Sequence, residues 1–392
     1  MIGSTLEYRQ NPQEFVEKWS AALGPVFRVH IFGRMQTVIS GSYVREIFFN
    51  ENFSFATAVA RPQMLTGMSK YDVDTDDLRE VVLNSLTVRM KDYVPRAMAQ
   101  LGIGLEETLG DLAEPRELPH LFPPVLHMVA RASASVFVGL DLCQDQEVLG
   151  AFKYIDNILQ DIIENHPPPP SYPGNCYTYF TNWVIALIFA SVATTTEHGA
   201  LVLYRMLQHP EIVDELVQEQ KDVFGEDILN SKDNNVFTGE SLRKLVKLVS
   251  VCREAIRMRN EYLTLPHTNI GKQSFTLSNG VVIPPGQEVL LDVWANHHDS
   301  RLQRDNLGNY DKFEPFRHLE IGRSSTKIGD DYLVFGEGKH ACPGRWFALQ
   351  EIKTVVTLFI RDYILKPNGS IEFPTGAGTR VPTGKVTIQR KA

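Results

Sequence analysis

Phe335-Gly336-Glu337-Gly338-Lys339-His340-Ala341-Cys342-Pro343-Gly344-Arg345 is a glycine-rich loop carrying one cysteine, and an apolar-periodic helix follows it directly. Such a loop can turn backbone N–H groups toward a sulfur, and a helix N-terminus favours negative charge. Lys339, His340 and Arg345 add positive charge, so the stretch is expected to draw the Cys342 thiol toward thiolate. A thiolate held this way is a soft, strongly donating ligand for iron. The competing reading is a buried free cysteine, the commonest fate of a lone thiol. The loop alone leaves both open.

The bulk properties narrow the field. The 392 residues allow one large or two ordinary domains, and 43% hydrophobic with 22% charged residues is ordinary globular composition. A formal net charge of -8 with no basic tract argues against a nucleic-acid partner. Cys143, Cys176, Cys252 and Cys342 are far apart and form no CxxC pair, which fits neither a zinc set nor a disulfide framework. The N-terminal residues show no apolar run, so the expectation is no signal peptide and no anchor. The most apolar stretch, 183–193, is too short to cross a bilayer and is expected to be a buried helix.

Periodicity predicts a mostly helical chain with minor sheet. Helical spacing covers 12–24 and 42–50, with β-rich runs at 26–31 and 36–39 around Gly33 reading as a hairpin. A long amphipathic pattern runs from Asp76 to Leu109, and Pro95 is expected to break or kink it. Further helices are expected at 125–138, 182–207, 211–224, 242–258 and 345–361. Strand signals cluster at 275–277, 281–283 and 289–293, and a short strand closes the tail. No repeat or composition break divides the chain, so residues 1–392 read as a single domain, with 1–23 as an N-terminal extension.

The spacing FxxGxxxCxG at Phe335, Gly338, Cys342 and Gly344 resembles the haem-ligand loop of the cytochrome P450 family, the haem-thiolate monooxygenases. Three motifs upstream stand in that family's order. Phe189-Ala190-Ser191-Val192-Ala193-Thr194-Thr195 is similar to its oxygen-binding helix, Glu254-Ala255-Ile256-Arg257 to its Glu-Arg helix, and Phe313-Glu314-Pro315-Phe316-Arg317 to its arginine loop. The resemblance implies the family's fold, mainly α with small sheets. It implies haem b as cofactor, with Cys342 as iron ligand and His340, Phe335, Gly338 and Gly344 around it. His340 would meet a haem propionate, while Phe335 would pack on the thiolate side. His267 is a further propionate candidate, as are Arg79 and Arg89 in place of the family's tryptophan-arginine pair. Thr194 falls at the catalytic threonine, and Glu254, Arg257 and Arg317 at a buried structural triad.

Two departures stand out. Ala193 occupies the position where an acid usually precedes the threonine, which puts the proton relay in question. Between Lys153 and Trp183, with prolines at 167–170, there is room for one short helix where the family places two, so 154–181 reads as a shortened substrate lid. The resemblance implies a small apolar organic substrate, O2, and electrons from a separate NADPH-dependent reductase, because no GxGxxG fingerprint occurs in the chain. Lys339, Arg345 and Lys353 would face that reductase. By resemblance the protein would work at the cytoplasmic side of the endoplasmic reticulum; the sequence alone reads as cytosolic. A haem-thiolate isomerase or dehydratase, prompted by Ala193, and a haem-binding protein without turnover, prompted by the short lid, are the alternatives.

Overall fold

The computed structural model describes residues 3–59, 75–110, 112–141, 176–231, 233–303, 308–375 and 381–391. The lid reading lies outside them as far as residue 175, as do the prolines at 167–170.

The expected 1–23 extension forms two helices, Thr5–Gln10 and Pro12–Leu23. Proline at the first helical position and the Asn11 side chain, which accepts the Glu14 N–H, start the second. Its Phe15 and Val16 are buried against a sheet, so the segment is part of the packed body. The hairpin follows as β1 (Val26–Ile31) and β2 (Arg34–Ile39), in register from Val26 opposite Ile39 to Ile31 opposite Arg34. With β3 (Phe53–Ser54), β5 (Leu263–Asn269) and β8 (Glu288–Asp292) they make a five-stranded sheet in the order β1-β2-β8-β5-β3. Among the described strands of this sheet, only β2 and β8 run parallel. β4 (Arg116–Leu118), β9 (Tyr363–Glu372) and β10 (Thr383–Arg390) form a second sheet, while β6 (Phe275–Thr276) and β7 (Val282–Ile283) pair alone.

Helices build the rest. The 76–109 pattern breaks before its proline: Thr75–Val81 passes through a π-helical turn at Val82–Thr87, and the chain restarts at Met90 and runs to Leu109. Pro95 lies inside the restarted helix without ending it. The interruption is at Arg89, whose backbone leaves helical geometry (φ -101, ψ 16). The expected 242–258 helix is likewise two pieces, Ser241–Lys244 and Val246–Arg257, separated where Leu245 takes ψ 69.

One 33-residue helix, Cys176–Gln208, runs through the centre. It packs on the helices Phe122–Phe137, Val246–Arg257 and Arg345–Asp362. Its portion Ala186–Gln208, 23 residues, is long and apolar enough to cross a membrane by length and composition. That exceeds the 183–193 run read from the sequence. Most of it is buried, because neighbouring helices cover it on several sides. Burial on more than one face explains why its apolar residues do not keep to one stripe. The helix after the cysteine loop is similarly enclosed from Leu349 to Arg361. It buries even Glu351 and Lys353, whose Nζ donates to the Leu242 carbonyl at 2.9 Å.

Candidate active site

The cysteine loop is closed by its own backbone. The Cys342 N–H donates to the Phe335 carbonyl at 2.7 Å, and the Gly336 N–H to that of Leu333 at 2.8 Å. Gly338 has φ +60, and a Cβ there would lie 2.9 Å from the Phe48 carbonyl oxygen, so glycine is required twice over. Gly344 is different: nothing lies within 4 Å of where its Cβ would be. Any need for glycine at 344 therefore comes from a group the loop receives. Phe335 is buried and meets the Tyr332 ring edge-on at 6.2 Å.

The charge expectation for Cys342 is corrected in sign. Burial pushes the thiol up, and the N–H groups of Gly344 and Arg345 with the Arg345 charge pull it only part of the way back. Lys339 is exposed, with Nζ 3.4 Å from the Glu51 carbonyl oxygen, and His340 Nε2 donates to the Phe53 carbonyl at 3.1 Å. Neither contributes to the sulfur. The amides and Arg345 are nonetheless placed to stabilise a thiolate once a cation is bound.

Behind the loop lies the expected triad, with a fourth member. Arg257 grips Glu254 bidentately, Nε to Oε2 and Nη2 to Oε1, each at 2.8 Å. Arg317 Nε reaches Oε1 at 3.0 Å, and His318 Nε2 donates to Oε2 at 3.2 Å. Burial by itself would push the Glu254 carboxyl up, but the bonds from Arg257 and His318 hold it far below the ordinary carboxylate range. Spare donors of the arginines go to carbonyls, Arg257 Nη1 to His297 at 2.8 Å and Arg317 Nη2 to Asn309 at 2.7 Å. His297 ties this cluster to the cysteine loop by accepting the Leu333 N–H at 2.9 Å. His297 is thus a buried structural residue, on the short helix Val293–His298.

On the central helix, Ala190 and Thr194 are exposed one turn apart while Val192, Thr195 and Thr196 are buried. Thr194 Oγ1 donates to the Ala190 carbonyl at 2.7 Å, which leaves its lone pairs toward the open face. Val192 belongs to the same core cluster as Phe335, and Cys342 packs against that cluster.

Several features test whether these residues suit a haem. Cys342 brings one thiol aimed at by two amides, and the Cβ position of Gly344 borders open space. His267 is buried and donates Nδ1–H to the Leu265 carbonyl at 2.8 Å, while its Nε2 has no hydrogen-bond partner among the described residues. Its ring lies 5.0 Å from that of His340 and 5.2 Å from that of Phe48. The Arg79 Nε is also buried with no hydrogen-bond partner among the described residues, and the Arg79 charge acts on Arg345; Arg89 is exposed. A single thiolate ligand with unanswered cationic or hydrogen-bonding groups nearby fits a planar iron group that carries carboxylates. The donor set is compatible with haem.

The model of the cytochrome P450 family matches residues 178–388, more than half of the chain. The chain belongs to the cytochrome P450 family. The P450 monooxygenase cdmJ of Talaromyces verruculosus is 21% identical over 437 residues, covering 93% of this chain and 82% of that protein. P450 monooxygenase 3 of Gibberella fujikuroi is 32% identical over 191 residues, covering 45% of this chain and 36% of its own. Among solved structures, retinoic acid-bound cyanobacterial CYP120A1 superposes with a TM-score of 0.71 at 20% identity, covering 100% of this chain and 97% of its own. That likeness establishes the fold. As a P450 of this kind the protein is a haem-dependent, haem-thiolate monooxygenase.

Sequence reading missed His318, His198 and Arg259. A signal existed for His198, which follows the Thr194–Thr196 run by two residues, and for Arg259, two past Arg257. His318 and Arg259 have hydrogen-bond partners more than 60 residues away, and His198 bonds a backbone carbonyl four residues back, so side-chain spacing could not pair them.

Proposed function

We propose that this P450 inserts one oxygen atom of O2 into a small apolar organic substrate, with haem b held by Cys342 and electrons from a separate NADPH-dependent reductase. The observation that carries the reading is the Cys342 sulfur within a backbone-closed loop, faced by the amides of Gly344 and Arg345. Haem bound there supplies the iron at which dioxygen is activated. Cys342 gives up its proton when it ligates, and the two amides with Arg345 stabilise the resulting charge. Phe335 keeps water from the sulfur. Gly338 lets the loop approach Phe48, and the space where a Cβ of residue 344 would lie is open. His267 Nε2, Arg79 and His340 are the groups nearest to hand for the haem carboxylates.

Thr194 is the oxygen-side hydroxyl. With its proton given to the Ala190 carbonyl, its oxygen can accept a hydrogen bond from the reacting face. Ala190 beside it offers the small apolar surface an apolar substrate requires.

For reductase docking, Lys339 remains on the surface. Arg345 is half-buried, with Nη1 donating to the Cys342 carbonyl at 2.6 Å, and Lys353 belongs to the core. The docking charge therefore reduces to Lys339 and what surrounds it. A single domain spanning 1–392 with a lid shortened near 154–181 also remains our reading. In support, the alignment with cdmJ runs over 437 positions while taking in only 93% of 392 residues, so that relative carries several tens of positions this chain lacks. Work at the cytoplasmic face of the endoplasmic reticulum is the corresponding location.

The test is turnover under 18O2 with NADPH, a P450 reductase and a panel of apolar substrates. One labelled oxygen per product is expected. Product formed from a hydroperoxide with no electron donor, and none from 18O2, would replace this reading with the isomerase or dehydratase one.

A further inference from the structure

Two residues of the central helix and one just past the Glu-Arg helix meet directly behind Thr194. His198 is 5% exposed and its Nδ1 lies 2.6 Å from the Thr194 carbonyl oxygen. A carbonyl only accepts, so Nδ1 carries the proton. On the other edge of the ring, Arg259 Nη1 lies 2.9 Å from Nε2. A guanidinium only donates, so Nε2 is an acceptor. The two partners together fix His198 as one neutral tautomer in one orientation. Arg259 is itself 5% exposed and is held from behind: its Nη2 donates to Glu197 Oε2 at 2.9 Å, and Glu261 lies 3.7 Å from Nη1.

The carbonyl that His198 captures belongs to the residue whose hydroxyl faces the open side of the helix. A helix carbonyl given an additional side-chain donor tilts away from the axis, and the turn it belongs to is reoriented. Thr194 Oγ1 is meanwhile tied to the Ala190 carbonyl at 2.7 Å. Thr194 is thus gripped at both its hydroxyl and its carbonyl, and the second grip depends on residues that extend to the end of the Glu-Arg helix. Ala193, next to it, offers no side chain that could do the same.

We propose that His198, oriented by Arg259 and Glu197, is a positioning residue for Thr194 and so governs how completely consumed electrons appear as product. None of the three touches substrate in this account; they act through the Thr194 peptide. The proposal rests on the reading of Thr194 as the oxygen-side hydroxyl.

The experiment compares wild type with Thr194→Ala, His198→Phe, His198→Asn and Arg259→Gln in the haem-loaded protein. Product formed and peroxide released per NADPH are measured, together with amide hydrogen exchange across residues 190–199. His198→Phe removes the donor and should lower product per NADPH several-fold, raise peroxide, and speed exchange in that segment. His198→Asn keeps an N–H close to the Nδ1 position and should restore most of the coupling, which a loss of packing alone would not allow. Arg259→Gln should fall between them. Wild-type coupling in His198→Phe, alongside an uncoupled Thr194→Ala, would overturn the positioning role and leave the Thr194 reading intact. Wild-type coupling in Thr194→Ala would overturn the Thr194 reading itself and this role with it. If His198→Phe fails to fold, the other two substitutions decide: equal coupling in wild type and Arg259→Gln, or no recovery in His198→Asn, contradicts the proposal.

Discussion

Around Cys342 the site is assembled from buried charge. Glu254, Arg257, Arg317 and His318 are each at most 6% exposed, and their hydrogen bonds bring together the Glu-Arg helix, the arginine loop and, through His297, the cysteine loop. Around Thr194 the site is one helix face, where an exposed hydroxyl is bonded to its own backbone and a histidine behind it takes its carbonyl. Substitutions on the first side strand charges and act on folding and haem retention. Substitutions on the second leave the helix whole and, on the function proposed above, should act on the use of oxygen. Each side can therefore serve as the control for the other.

The largest contrast is Glu254→Gln against Thr194→Ala. Removing the carboxylate leaves two buried guanidiniums facing a neutral amide, a change costing roughly 3–5 kcal/mol. Thermal unfolding and haem content should both fall sharply, whereas Thr194→Ala should stay within about 0.5 kcal/mol of wild type while losing coupling. Comparable stability in the two variants would erase the distinction between the sides.

Lys353 and Lys339 sharpen it next. Lys353 is 4% exposed, and burial pushes its amine down to about 8. Lys353→Glu would place an unpaired carboxylate in the core and destabilise by about 3 kcal/mol or more. Lys339→Glu should leave the unfolding midpoint in place and slow electron transfer from an acidic reductase surface, read by stopped-flow reduction at low salt. An unchanged reduction rate would discard the docking role.

Acid should act through the buried histidines. Burial pushes His267 and His297 down to about 3 and His298 to about 4. In the unfolded chain these rings titrate near 6.5, so between that pH and about 4 the unfolded state holds more protons and the folded state loses ground. Each ring contributes up to about 1.4 kcal/mol per pH unit in that window. Glu254, held low when folded, adds to the loss only below about 4.5. The Asp292 and Glu351 carboxyls, pushed up by burial, act in the opposite sense over the same range and offset part of this loss. The histidine effect is therefore read from the ring resonances of the folded protein. These three rings should not titrate between pH 7 and pH 5, and titration at about 6.5 would contradict the assignment of neutral buried rings.

The cysteine side was the more legible in sequence. Four residues at fixed spacing announced the loop, and Glu254 with Arg257 lie three apart on one helix, where pairing is dictated by the helical repeat. His318 escaped notice because its partner is 64 residues away, and Arg259 because its partners are 61 and 62 residues away. Lys353 was misplaced for a physical reason: charge suggests solvent, but the helix it lies on is enclosed on all faces near that turn. The break at Arg89 was hidden because the apolar period continues across it, and Pro95, the obvious breaker, lies inside the restarted helix. Thr194 was singled out by the resemblance of residues 189–195 to the family's oxygen-binding helix. What holds it was not readable, since the Thr194–His198 bond uses a backbone carbonyl that every residue has.

The central claim is that Cys342 is the iron ligand. The spectrum of the reduced carbon-monoxide complex tests it directly, in wild type and in Cys342→Ser loaded with the same haem. The account predicts the strongly red-shifted Soret band of thiolate ligation in wild type and its loss in the variant. An unshifted band in wild type, or a shifted band that survives the substitution, would contradict it.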